Sequence, residues 1–174
     1  MKRVSTIGIF GAVMLAALVA GQSCKVSYSF TGASIDPKIK TISVKYFPNR
    51  SEIVVPTLSQ QFTDALKEKF RSQTKLQQVN STGDVNFEGE IVRYTPTQAT
   101  AIQSNDKPAK NRLTIDVKVR YTNNIKPEES FEQTFSRYQE YDATTSLNSV
   151  ESNLITQIVD QLTDDIFNKA FANW

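Results

Sequence analysis

The chain of 174 residues contains no histidine and a single cysteine. Without an imidazole, Ser–His and Cys–His nucleophilic catalysis are excluded, and the commonest side-chain ligand of transition metals is missing. One cysteine cannot close an internal disulfide. The six glycines build no phosphate-cradling loop, no Walker motif and no calcium loop. No cofactor or metal is implied. Acid/base chemistry is left to carboxylates, and their spacing does not favour it. Glu128-Glu129 and Asp164-Asp165 are adjacent pairs whose members point to different faces of a helix or strand. Glu88 and Glu90 share a strand face, as ordinary solvated residues also do. The only remaining route to catalysis is carboxylates gathered from distant segments. The expectation is a protein that is not an enzyme.

Long apolar runs are absent after the first two dozen residues. Lys2 and Arg3 precede Ile7 to Ala20, which is uniformly apolar, and Gly21-Gln22-Ser23 follow. This is the layout of a secretory signal peptide over residues 1–23, too short for a comfortable membrane span. An uncleaved anchor or a buried core helix would be the alternatives. Removing residues 1–23 takes away Lys2 and Arg3 and no acid. The 20 basic and 18 acidic residues of the whole chain then become 18 against 18 in the remaining 174 − 23 = 151. A nucleic-acid partner loses its electrostatic support. The one cysteine, Cys24, stands directly after this segment. That position favours lipid modification over a buried bystander or an intermolecular crosslinker, because a lipidated cysteine becomes the new N-terminus. Gly21 departs from the leucine usual three positions before such a cysteine. Acyl chains, at about 0.8 kcal/mol per buried methylene, would hold the protein to a membrane without a spanning helix.

The rest of the chain alternates between two periods. Ile42, Val44 and Tyr46 alternate with polar residues and predict a strand, ended by the turn Phe47-Pro48-Asn49-Arg50. Pro56-Thr57-Leu58-Ser59-Gln60 predicts a helix start with a Thr57/Gln60 capping box. Leu58, Phe62, Ala65, Leu66 and Phe70 continue one apolar face to about Gln73. A short strand is expected at Leu76 to Val79, and a longer one from Asp84 to Thr95 with Val85, Phe87 and Ile91 on one face. Gly89 lies on that face too, which suggests a bulge or the close approach of a helix. From Arg112 to Tyr121, Leu113, Ile115, Val117, Val119 and Tyr121 face one way and Thr114, Asp116, Lys118 and Arg120 the other, a half-wet strand of an antiparallel sheet. Ser130 to Tyr141 forms its hairpin partner. A last helix of about 24 residues carries Leu147, Val150, Leu154, Ile158, Val159, Leu162, Ile166 and Phe167, with Glu151, Asp160, Asp164 and Asp165 on its polar side. The expected fold is α+β: a two-layer sandwich of a mostly antiparallel four- to five-stranded sheet with two helices on one face. Residues 24–174 read as one domain, and the polar connection Pro96 to Lys110 is unusually long for a hairpin.

Charge placement is the remaining functional signal. Lys107, Lys110, Arg112, Lys118 and Arg120 face only Asp106 and Asp116 between residues 105 and 120, and residues 38–50 hold four basic residues and no acid. Such cations suit anionic groups such as lipid phosphates. A solvated sheet face accounts for the same spacing and is the reading that spacing alone favours. Tyr28 and Phe30 are either a first sheet contact or a docking element.

Several segments together resemble a known family: YSFTGASI (Tyr28–Ile35), IKTISV (Ile39–Val44), YFPN (Tyr46–Asn49), PTLSQQFTDALKEKF, NRLTIDVKVRYTN, FEQTFSRYQEYD and the closing DIFNKAFANW. In this order they are similar to the LptE family of lipopolysaccharide-assembly lipoproteins, in a divergent branch, across essentially all of residues 24–174. The resemblance implies two helices against a sheet of about four strands. It also implies lipid anchoring at Cys24 in the outer membrane, on its periplasmic side or within a barrel lumen. It implies two partners, a large LptD-type outer-membrane β-barrel that the protein plugs and helps to assemble, and lipopolysaccharide itself. Placement of phosphate contacts on Lys107, Lys110, Arg112, Lys118 and Arg120 comes from the charge pattern of this chain, not from a family motif. A free-standing outer-membrane lipoprotein that binds a soluble ligand or structures the envelope is the alternative.

Overall fold

Strict alternation places every second side chain of a strand on one face, and the longest alternating run forms a strand paired on both sides. In the structure, a computed structural model describing residues 35–98 and 110–172, the elements follow as β1 (Thr41–Val44), α1 (Leu58–Gln73), β2 (Gln77–Gln78), β3 (Val85–Thr97), β4 (Lys110–Asn123), a 3-10 turn (Pro127–Glu129), β5 (Phe131–Asp142) and α2 (Leu147–Phe171). The signal segment and Cys24 lie outside the described residues. The five strands form one sheet in the order β2-β1-β3-β4-β5. Both helices contribute to one core with a single face of that sheet.

The expected α+β architecture is present, but the sheet is mixed. β3, β4 and β5 are antiparallel neighbours. β1 runs parallel to both β2 and β3. The reason is α1: a helix between two adjacent strands carries the chain back to the starting edge, so the second strand repeats the direction of the first.

The buried face of β4 is the predicted one, with Leu113, Ile115, Val117 and Val119 fully enclosed and Tyr121 1% exposed. On β3 the alternation holds for Val85, Phe87 and Ile91, and then breaks. The register shifts between Ile91 and Arg93, so Val92 is an extra residue that bends the strand and reverses its parity. Tyr94 therefore faces the core, and its hydroxyl donates to the Glu151 carboxylate on α2. Burial, followed by that carboxylate, pushes the Tyr94 hydroxyl far above its usual pKa.

The segment after β1 departs from expectation. Tyr46 points to solvent, and Phe47 is buried in its place. The Phe47 amide donates to Thr63 Oγ1 on α1 at 3.1 Å, and its ring meets Phe62 edge-on at 5.1 Å. Beyond it, the Arg50 amide donates to the Ile91 carbonyl and the Ile91 amide to Pro48, so residues 48–50 extend the sheet beside β3. This packing explains Gly89. A Cβ there would stand 2.0 Å from the Lys118 carbonyl oxygen and 2.7 Å from Phe47 Cε1, so the close approach comes from a strand and a loop side chain, not from a helix. The expected capping box is not formed either. Thr57 makes no side-chain cap, and Gln60 Nε2 donates to Asp64 instead.

The acidic side of α2 is largely partnered. Asp164 pairs with Lys69 of α1, Asp165 with Arg137 of β5, and Glu151 with Tyr94. At the sheet's lower end Asp84 accepts from the amides of Lys40 and Thr41 at 2.8 and 2.9 Å, while its own amide donates to Thr41 Oγ1. These donors, the Lys40 amide first, hold the Asp84 carboxyl below the usual carboxylate range.

Gly89→Ala is expected to lower stability by about 1–3 kcal/mol through overpacking, visible as a reduced urea midpoint. Asp84 sets a pH dependence. Its folded pKa is depressed, so its stabilisation is complete above the unfolded value near 3.9 and disappears as pH falls through the folded one. The thermal midpoint should decline on acidification below about pH 4, and Asp84→Asn should flatten that decline.

Candidate functional site

Because both helices cover one face, the other face of the sheet carries only its own side chains. On β4 this face shows Lys110, Arg112, Thr114, Asp116, Lys118 and Arg120, and each cation with a described partner is met by an acid on a neighbouring strand. Arg112 Nη2 donates to Glu140 Oε1 at 2.9 Å, and its guanidinium carbon lies 3.8 Å over the Tyr138 ring. Lys118 Nζ lies 2.6 Å from Glu132 Oε1. Arg120 bridges two strands, with Nε 2.7 Å from Glu132 and Nη1 3.3 Å from Glu88. Lys45, in the segment after β1, closes the row at 2.7 Å from Glu88. Asp116 is buried on this face, held by Arg93 Nη1 at 3.2 Å and by the Ser136 hydroxyl at 2.6 Å.

These contacts shape the titration of the row. Hydrogen bonding from Lys45 depresses Glu88, and bonding from Lys118 and then Arg120 depresses Glu132. Glu132 raises Arg120, and Glu140 raises Arg112. Glu88, Glu132, Arg112 and Arg120 therefore stay ionised at neutral pH, and the face is a matched ladder of both signs instead of a basic patch.

The cations predicted from sequence divide into groups. Lys118 and Arg120 border a shallow depression of about 330 Å³, together with Lys45, Tyr46, Glu88 and Glu132. Arg112 lies eight residues from Arg120 along β4, roughly 26 Å at 3.3 Å per residue. Lys110 is exposed beyond it, in register with Asp142. Lys107, like Cys24, falls outside the described residues. Lys45 and Tyr46 were not singled out for this site; Lys45 belongs to the acid-free basic run 38–50, and Tyr46 only to the alternation of the first strand. Glu88 and Glu90, noted in sequence only as sharing a face, prove to line the same depression.

A second hollow, about 240 Å³, lies at the lower end of the sheet between Ile35, Tyr121, Lys126, Glu129 and Phe171. Lys126 Nζ sits 3.2 Å from both Asp36 and Glu129. Burial, then the Glu129 charge, pushes the Tyr121 hydroxyl up to about 12. Among the described residues no group of three or more acidic, histidine or cysteine side chains is placed to hold a metal ion.

The ladder consists of exposed ion pairs, which contribute little to folding. Glu132→Gln should leave the unfolding midpoint nearly unchanged while freeing Lys118 and one edge of Arg120. Thermal denaturation of the variant beside the parent checks this, and a collapse in stability would mean that the row holds the sheet together.

Comparison with known proteins places this architecture. A structure of the hypothetical protein CT253 from Chlamydia trachomatis is 9% identical with a TM-score of 0.55, covering 78% of this chain and 99% of that one. A putative neuraminyllactose-binding hemagglutinin homolog from Helicobacter pylori is 6% identical with a TM-score of 0.52, covering 79% and 85%. At such identities these two share the fold. A minor lipoprotein from Acinetobacter baumannii is 17% identical over 76% of this chain and 92% of its own, with a TM-score of 0.48. A search of curated proteins finds no match. Residues 39–170 match the family described as LptE, Lipopolysaccharide-assembly, a span that runs from just before β1 to the last turn of α2. The chain thus belongs to the LptE family of lipopolysaccharide-assembly proteins.

Proposed function

We propose that the protein is an outer-membrane lipoprotein, lipidated at Cys24, that plugs an LptD-type β-barrel and assists its assembly. In that role it contacts lipopolysaccharide phosphates through Lys107, Lys110, Arg112, Lys118 and Arg120 and carries out no chemical step of its own. The observation that carries this reading is the family match, which spans every strand and both helices of the domain. Two physical features support it. None of the described helices is long and apolar enough to cross a membrane; in this reading attachment is through the acylated cysteine. The helix-free sheet face is polar and charge-matched, with the half-exposed rings of Tyr46 and Tyr138. Such a surface suits a hydrated contact with the polar interior of a large barrel.

Affinity capture of the C-terminally tagged chain from mildly solubilised outer membrane, followed by mass spectrometry, tests the reading. Recovery of a large β-barrel at equal stoichiometry is expected. Recovery of the lipoprotein alone would overturn it in favour of a free-standing envelope lipoprotein that binds a ligand by itself.

A further inference from the structure

The depression beside Lys118 and Arg120 has a composition that a simple anion site would not have. Its charged lining is Lys45, Lys118 and Arg120 against Glu88, Glu90 and Glu132, with Gly89 and Tyr46 completing it. Three positive groups face three negative ones. A bare phosphate approaching the cations meets three carboxylates of its own sign within the same small space, and a bare amine meets the converse.

Glu90 is the group the ladder leaves over. It stands directly opposite Lys118 in the β3–β4 register, where side chains on one face are close neighbours. Lys118 turns instead to Glu132. No ion pair joins Glu90 to any described cation, whereas Glu88 and Glu132 each hold two. On the cationic side, Arg120 is held firmly by Glu132 through Nε but only at 3.3 Å by Glu88 through Nη1, so part of its guanidinium fork is loosely engaged. Tyr46 is 55% exposed and lines the same depression, and an ammonium is attracted to aromatic π density.

We propose that this depression binds a phosphoethanolamine-type group. The phosphate is held by Arg120 and Lys118, and the ammonium by Glu90 beside the ring of Tyr46. The inference rests on the proposed function, since two of its cations are among the phosphate contacts named there, and it deepens that reading by stating the ligand's chemistry: a phosphate with an amine a few bonds away. The group has two possible carriers, a glycerophospholipid headgroup or a phosphoethanolamine substituent on a lipopolysaccharide.

The test is a titration of the full ¹⁵N-labelled chain in detergent micelles with O-phosphoethanolamine, inorganic phosphate and ethanolamine in turn. Saturable shifts of the Tyr46, Gly89 and Glu90 amides are expected with phosphoethanolamine, about tenfold tighter than with either half-molecule. Glu90→Gln should weaken phosphoethanolamine by about tenfold and, by removing one carboxylate of the phosphate's own sign, leave inorganic phosphate bound no more weakly than before. Equal affinity for phosphate alone overturns the inference, as does an unchanged affinity in Glu90→Gln or the absence of shifts at these amides. Repeating the titration with short-chain phosphatidylethanolamine and with a deacylated, phosphoethanolamine-bearing lipopolysaccharide identifies the carrier by the tighter of the two. Barrel capture is read separately. A failed titration with a recovered barrel removes only the ligand assignment, and a successful titration without a barrel removes only the plug.

Discussion

Aromatic contact between the C-terminal helix and the sheet holds the layers of this domain in place. Phe171 of α2 lies 6.2 Å from the rings of both Phe87 on β3 and Tyr121 on β4, and 5.7 Å from Phe70 on α1. Phe70 in turn stacks on Phe87 at 4.5 Å, and Tyr121 continues the chain to Phe131 at 5.2 Å on β5. Each such pair contributes roughly 0.5–1.5 kcal/mol beyond the area it buries. Because the rings come from both helices and three strands, neither helix can slide without breaking several contacts. Fixing both helices to one face leaves the other face bare, and the polar organisation of the outer sheet follows from that.

The bare face is kept soluble by pairing. Arg112, Lys118 and Arg120 on β4 bond to acids on the strands beside it, so the surface carries much charge and little net field. Its edges are managed too. β5 is a 12-residue edge strand, a length that invites pairing with another chain. Arg137 points from it toward the helices and is tied to Asp165 on α2. An inward-pointing charge on an edge strand is a known safeguard, because a slipped or swapped partner would leave it unpaired. On β3, Pro96 lies in the stretch paired only with β4, where a missing amide donor does no harm.

For a member of a lipopolysaccharide-assembly family, this division of labour has a physical logic. The helical face supplies stability, and the sheet face is free to meet other molecules. Exposed pairs on that face contribute little to folding, so their partners can be exchanged for those of a ligand or a barrel wall at small cost. A matched ladder also discriminates. It rewards ligands that carry both signs and gives little to those with one.

Much of this was readable in the sequence. The strict alternation of Leu113 to Tyr121 determined which side of β4 is buried, since a period of two admits one answer. The three- and four-residue spacing of Leu58, Phe62, Leu66 and Phe70 did the same for α1, and the N-terminal layout with Cys24 set the expectation of export and acylation. Other features were decided only in three dimensions. The parallel direction of β1 depends on where α1 returns the chain. The inward turn of Tyr94 depends on one extra residue at Val92, and the burial of Phe47 in place of Tyr46 depends on Thr63 and Phe62 of a distant helix. The partners of the candidate cations belong to this second class. Sequence spacing showed Lys118 and Arg120 on one face of a strand with Asp116 as the nearest acid, a pattern that a solvated sheet face already accounts for. Only pairing with β3 and β5 brought Glu88 and Glu132 beside them, because cross-strand neighbours are set by register between segments far apart in the chain, and no local pattern encodes it.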